Sequence, residues 1–225
     1  MFNADKILGQ LLGNPAAQGF AGGVAGGMLT SKSGRKMGKK ALKYGGIAAV
    51  GALAYTAYKN HQANQAQQVG GAAVTPAAPP EPHAGDDHQM LAPPADSGFA
   101  PKAGTTEAND TAMLVIRSMI AAARADGKLD GDEMEKVLSH ADTLELDPES
   151  KNRLLSELRA PVDMDSIVNA ATTDQLKTEV YAAALLAIEV DTDAEKAYLT
   201  MLRARLGLEE GLAKAIEEQL EAEPA

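Results

Sequence analysis

The sequence predicts an all-α protein, a bundle of about seven helices organised around two repeated helical hairpins. Three observations carry this expectation. From Met113 to Glu221 apolar residues recur at helical spacing, and no run alternates as a half-buried strand would. Cap residues punctuate that pattern at intervals of one helix. The helix breakers lie mostly elsewhere: of 21 Gly, twelve precede residue 60, and of 11 Pro, seven fall between residues 61 and 110.

The chain divides into three parts. Residues 1–60 carry eight basic residues against a single acid, Asp5, although the whole protein of 225 residues has a net charge of -10. A basic block, Lys32–Lys43, precedes the uncharged run Tyr44–Tyr58. Extended to residues 41–59, with Lys43 and Lys59 snorkelling, that run reaches the length of a transmembrane helix, and Tyr44, Tyr55 and Tyr58 would sit near its ends as interfacial anchors. If it spans, the positive-inside rule keeps Lys32–Lys43 cytoplasmic and sends the C-terminal part across the membrane. The basic block comes too late for an ordinary secretory signal. Residues 61–108, rich in Pro, Ala and Gln, read as a disordered linker. Residues 109–222 read as the helical domain.

Within that domain each helix has its own signals. Met113, Leu114, Ile116, Met119 and Ile120 open an apolar helix ending near Gly127. A second helix runs from Asp130 through Met134, Val137 and Leu138. Asp147 and Pro148 supply an N-cap and a first helical residue for the helix of Leu154, Leu155 and Leu158, which Pro161 limits. Met164–Ala170 is a short helix. Thr173 or Asp174 opens a long one through Val180, Ala184 and Ile188. Thr192 opens another through Tyr198, Leu199 and Leu202, stopped by Gly207. Glu209–Glu221 closes the domain. The alanine runs Ala121–Ala123 and Ala182–Ala184 suit close helix contacts as well as helix propensity.

The two hairpins are MLVIRSMIAAARADGKLDGDEMEKVL and VYAAALLAIEVDTDAEKAYLTML, each an Ala-rich helix, an acidic turn and a second helix with an early Glu. The ADG-x-L-x-x-x-E turn at Ala125–Glu133 resembles the signature of the TerB-like (tellurite-resistance) fold. The run Ile188–Leu208 resembles the second signature of the DUF533 family of YebE-like bacterial inner-membrane proteins. Glu189-Val190-Asp191 replaces the ADG form in the second turn. The resemblance implies a TerB-like helical domain behind a Gly-rich, membrane-associated segment, and it implies no enzyme activity. It also implies a bacterial inner-membrane location and links to metal or stress responses.

The acidic turns are the candidate site. Asp126, Asp130, Glu133, Glu189, Asp191 and Glu195 could hold a divalent cation of the calcium or magnesium kind if the two turns converge. Neither turn is an EF-hand loop. Asp130 with Glu133, and Thr192 with Glu195, also have the spacing of capping boxes, which accounts for those four residues without a metal.

Other chemistry is poorly served. The chain has no Cys, which removes thiolate catalysis and Cys-ligated metals, and no Trp. His140 is isolated within the helical domain, and P-loop, dinucleotide and HExxH signatures are absent. No catalytic residues and no cofactor beyond a divalent cation are expected. The acidic balance argues against nucleic acid. The expected function is a membrane-tethered adaptor that binds a protein partner or itself, through the Gly-rich segment or the helical domain, with metal sensing or buffering as the alternative.

Overall fold

A computed structural model describes residues 3–13, 46–69, 91–99, 101, 104–125, 148–161, 163–188, 190 and 192–221. Among these residues the protein is all-helical, with eight helices. They are α1 (Ala4–Gly13), α2 (Gly46–Val69), α3 (Thr106–Ala123), α4 (Pro148–Arg159), α5 (Met164–Ala170), α6 (Asp174–Ala187), α7 (Asp193–Leu206) and α8 (Glu210–Glu221). The helix expected from Asp130 lies outside the described residues, as does the Asp147 cap.

The local signals in the sequence act as expected where they are described. The Thr173 and Thr192 hydroxyls each accept a backbone N–H three residues on, opening α6 and α7, and Thr105, a cap not among those expected, opens α3 in the same way ahead of Met113. Gly207 closes α7 at φ +68°, the left-handed conformation that favours glycine. Asp163 caps the short α5.

The most extensive helix pairing is α3 against α6. Both helices are rich in buried alanine, with Ala121 and Ala122 on α3 and Ala182, Ala183 and Ala184 on α6. Small side chains let the two backbones approach, and the Ser118 hydroxyl donates to the Val180 carbonyl across the gap at 2.7 Å. Helices α4, α7 and α8 then close the core with Leu154, Leu158, Leu202, Leu206 and Ile216, each exposed by 2 % or less. Burial of each contributes roughly 2 kcal/mol.

The N-terminal part departs from expectation. Residues 46–59, the described portion of the expected transmembrane helix 41–59, form the first part of α2, which packs against α1, α3, α6 and α8. Ala49, Val50, Ala52, Ala54 and Ala57 are fully buried by protein. Among the described residues no helix is long and apolar enough to cross a membrane. The reason is in the sequence: after Tyr58 the helix continues as Lys59, Asn60, His61 and a run of glutamines, so only its first half is apolar. Residues 41–45 lie outside the described part.

Helix α1 is not among the expected helices, although Ala4, Ile7, Leu8 and Leu11 recur at helical spacing; it adds Ala4, Ile7 and Leu8 to the same core, each fully buried. Its start is stitched to distant elements. The Ala4 N–H donates to Asn109 Oδ1 at 2.9 Å, and the Asn3 N–H to Ser150 Oγ at 3.1 Å. Asp5 Oδ1 accepts the Ile47 N–H at 2.9 Å, placing an acid at the positive end of α2.

The segment read as a disordered linker, 61–108, is partly built into the fold. Helix α2 extends through its first nine residues to Val69, and α3 begins at Thr106. Residues 91–99 form a strap along α2. The Leu91 N–H donates to Thr56 Oγ1 at 2.9 Å, and the Thr56 hydroxyl donates to Ala52 O at 2.7 Å. At the other end the buried Phe99 ring stands edge-on to Tyr55 at 5.8 Å and tilted to Tyr58 at 5.5 Å. Tyr55 and Tyr58, two of the three tyrosines expected as membrane anchors, thus grip an aromatic ring of the chain itself, a contact worth about 1 kcal/mol per ring pair beyond burial, and Tyr44 lies outside the described residues.

Candidate functional site

Of the six acidic residues considered for a cation, Asp126, Asp130, Glu133, Glu189 and Asp191 lie outside the described residues. Glu195 is described. Its carboxylate accepts both the backbone N–H of Thr192 at 3.0 Å and the Thr192 hydroxyl at 2.8 Å, completing a capping box. Among the described residues no group of three or more His, Cys, Asp or Glu side chains could hold a metal ion.

Two features stand out that periodicity did not single out. The first is a cleft of about 320 Å³ between α3, α4 and α5. Its floor is apolar, with Ile120, Ala121 and Ile167, and its rim is ionic. Arg117 clamps Glu157 in a two-pronged pair, Nε to Oε2 and Nη2 to Oε1, both at 2.8 Å. Arg153 reaches Glu157 Oε1 at 3.0 Å. The Arg117 hydrogen bonds hold the Glu157 carboxyl below the usual carboxylate range, against an opposing push from burial. At the far end Arg124 Nη1 donates to the Ala160 carbonyl at 2.8 Å, which fixes a guanidinium that carries four further donor hydrogens. Arg117 and Arg124 are seven residues apart, so they share one side of α3. That spacing in an otherwise uncharged stretch of helix was the available sequence signal.

The second feature is Glu179 on α6. It is fully buried, and neither carboxyl oxygen has a hydrogen-bond partner among the described residues. Burial alone pushes its carboxyl up to about 8, so it is largely neutral at pH 7. Its position follows from helical spacing, because Glu179, Ala183 and Leu186 fall on one buried face. Across from it lies Gly51 of α2. A Cβ placed at Gly51 would come within 3.2 Å of Glu179 Oε1 and 2.1 Å of the Phe99 carbonyl oxygen. Glycine therefore lets the strap, α2 and the buried acid converge.

These groups do not make a catalytic constellation. In the cleft Arg117 and Glu157 are committed to each other and Arg124 is held by a backbone carbonyl, and among the described residues the one acid with a strongly shifted protonation, Glu179, is sealed from solvent. His61, the described histidine, lies on α2, where Nε2 is 3.0 Å from Glu209 Oε2 beside α8. The Tyr181 and Tyr198 hydroxyls are both held above their ordinary range by burial. Tyr181 also donates to Glu217 at 3.3 Å.

No curated protein and no solved structure matches the chain. The model of a family described as a protein of unknown function, DUF533, matches residues 12–220. The match takes in the buried helix α2, the strap and every helix of the C-terminal bundle, and the chain belongs to the DUF533 family.

Proposed function

We propose that the protein is a non-enzymatic helical adaptor that docks a protein partner in the cleft between α3, α4 and α5. The observation that supports this reading is the construction of the cleft. An apolar floor of Ile120, Ala121 and Ile167 can take an aliphatic side chain. Arg124, anchored by a single bond to Ala160, can offer its remaining donors to a neighbouring carboxylate of the partner. Arg117 is spent on Glu157 and braces the wall instead. Attachment to an anionic membrane surface would run through the basic stretch Lys32–Lys43, because the apolar half of α2 is occupied within the bundle.

A photo-crosslinking residue placed at Arg124 or Pro161 tests the docking reading in cells. It is expected to trap one discrete protein, which the same probe at Lys214 on α8 does not trap and which Arg124→Glu loses when the probe is at Pro161. Equal capture from Lys214, or none from the cleft, would overturn it. Flotation tests the membrane part. The full chain is expected to rise with phosphatidylserine vesicles, to stay behind with phosphatidylcholine vesicles, and to be released by high salt. Retention through high salt would overturn the electrostatic route.

A further inference from the structure

Helix α7 buries Tyr198, Leu199, Leu202 and Leu206 and turns its other side to solvent. On that outer side Ala194, Ala197, Met201 and Ala204 are exposed, at the three–four–three spacing of a helix–helix seam. Val190 lies one further step along the same spacing, in the turn before the cap. Among the described residues Met201 and Val190 are the large apolar side chains left exposed, at 51 % and 41 %. A solitary exposed methionine would be unremarkable. Two in register with three exposed alanines make a continuous face, and alanines allow a second helix to approach closely.

The charges choose the occupant. The sequence crowds Glu189, Asp191, Asp193 and Glu195 at the start of this element and puts Arg203 and Arg205 at its end, with no acid from Lys196 to Leu208. Glu195 is used by the cap, but Asp193 is fully exposed and holds only a loose 3.9 Å contact with Lys196. Arg205 is partly exposed beside Asp165 of α5. A second α7 laid antiparallel across the first would bring each acidic start against a basic end. The two-fold axis would pass near Tyr198–Thr200, set Met201 over Ala197 of the second copy, and set Asp193 near Arg205 of the second copy. A parallel arrangement would set acid against acid.

We propose that the outer face of α7 is a self-association surface that joins two copies of this chain in an antiparallel, two-fold pair. This names one partner within the adaptor reading and rests on it for the idea of a binding module. It uses a different surface from the cleft, so crosslinking from Arg124 and the pairing of α7 can fail separately. A single helix pair buries a small area, so the dimer is expected to be weak and concentration-dependent.

Sedimentation velocity of the full chain over a concentration series tests it. Wild type is expected to shift from monomer to dimer, and Met201→Glu to raise the dissociation constant by about tenfold or more. Asp193→Arg and Arg205→Asp are each expected to weaken the dimer, and the double exchange to restore it, since the swapped charges meet again across the axis. Circular dichroism melts of each variant separate this from damage to the helix or to the Arg205–Asp165 pair. A wild type that stays monomeric to millimolar concentration would overturn the proposal. So would a dimer indifferent to Met201→Glu, or a double exchange that fails to restore pairing in a folded protein.

Discussion

Replacing Glu179 by Gln removes an ionisable group from the centre of the bundle while keeping its shape. In the wild type the folded carboxyl titrates at about 8 instead of its ordinary 4.5. Below pH 4.5 the side chain is neutral in both folded and unfolded chains, so the substitution changes little there. Above that pH the unfolded chain loses the proton and the folded one keeps it. Wild-type stability relative to the Gln variant therefore falls by about 1.4 kcal/mol for each pH unit, until the folded carboxyl itself ionises near pH 8. The advantage of Glu179→Gln is expected to be on the order of 3 kcal/mol at pH 7 and about 5 kcal/mol above pH 8. Urea unfolding of both proteins at pH 5, 6, 7 and 8 measures it, and the difference between them cancels the other titrating groups. A stability difference that does not change with pH would refute the reasoning, and would mean that the carboxyl keeps its ordinary ionisation in the folded state.

Three other outcomes follow from the same packing. Gly51→Ala puts a methyl group 2.1 Å from the Phe99 carbonyl oxygen, and is expected to cost on the order of 2 kcal/mol and to raise proteolysis within residues 91–99. Thr192→Ala breaks the capping box of α7 and is expected to cost about 1 kcal/mol in thermal or urea melts, with or without calcium; loss of a calcium-dependent rise in melting temperature would instead support a cation at the acidic turns. Deleting residues 1–69 uncovers the apolar faces of α3, α6 and α8, so the fragment beginning at residue 70 is expected to bind a hydrophobic dye and to melt without a sharp transition; a cooperative melt close to that of the full chain would show α1 and α2 to be dispensable.

What was legible in the sequence was local. Thr173, Thr192 and Gly207 mark helix ends because a hydroxyl at an N-cap and a left-handed glycine act within a few residues of the position they terminate. The periodic leucines of α4 and α7 found the core for a similar reason. What escaped was long-range. The run Ile47–Tyr58 has the same uncharged composition whether lipid or protein covers it, and only the polar second half of α2 distinguishes the two. The short α1 does carry a helical spacing, Ala4, Ile7, Leu8 and Leu11, but over barely three turns beside a Gly-rich run, and what fixes its place are bonds to Asn109 and Ser150, far along the chain. Arg117 and Glu157 looked like ordinary surface charges until the fold set them face to face, and Glu179 looked like the polar edge of an apolar run.

The pairing of α2 with α8 also governs the order in which the molecule can be completed. His61 meets Glu209 across a separation of 148 residues, and among the described helices α8 makes the most extensive pairing with α2. On a ribosome adding 5–20 residues each second, α2 would emerge roughly 7–30 s before α8. Throughout that interval its apolar half is without its final cover, in a chain whose other contacts are those of a fast-folding helical bundle. Release of the last turns of α8 therefore sets the earliest moment at which the nascent protein can seal its core. Any fusion or truncation that delays or removes α8 would prolong the exposure of the apolar half of α2.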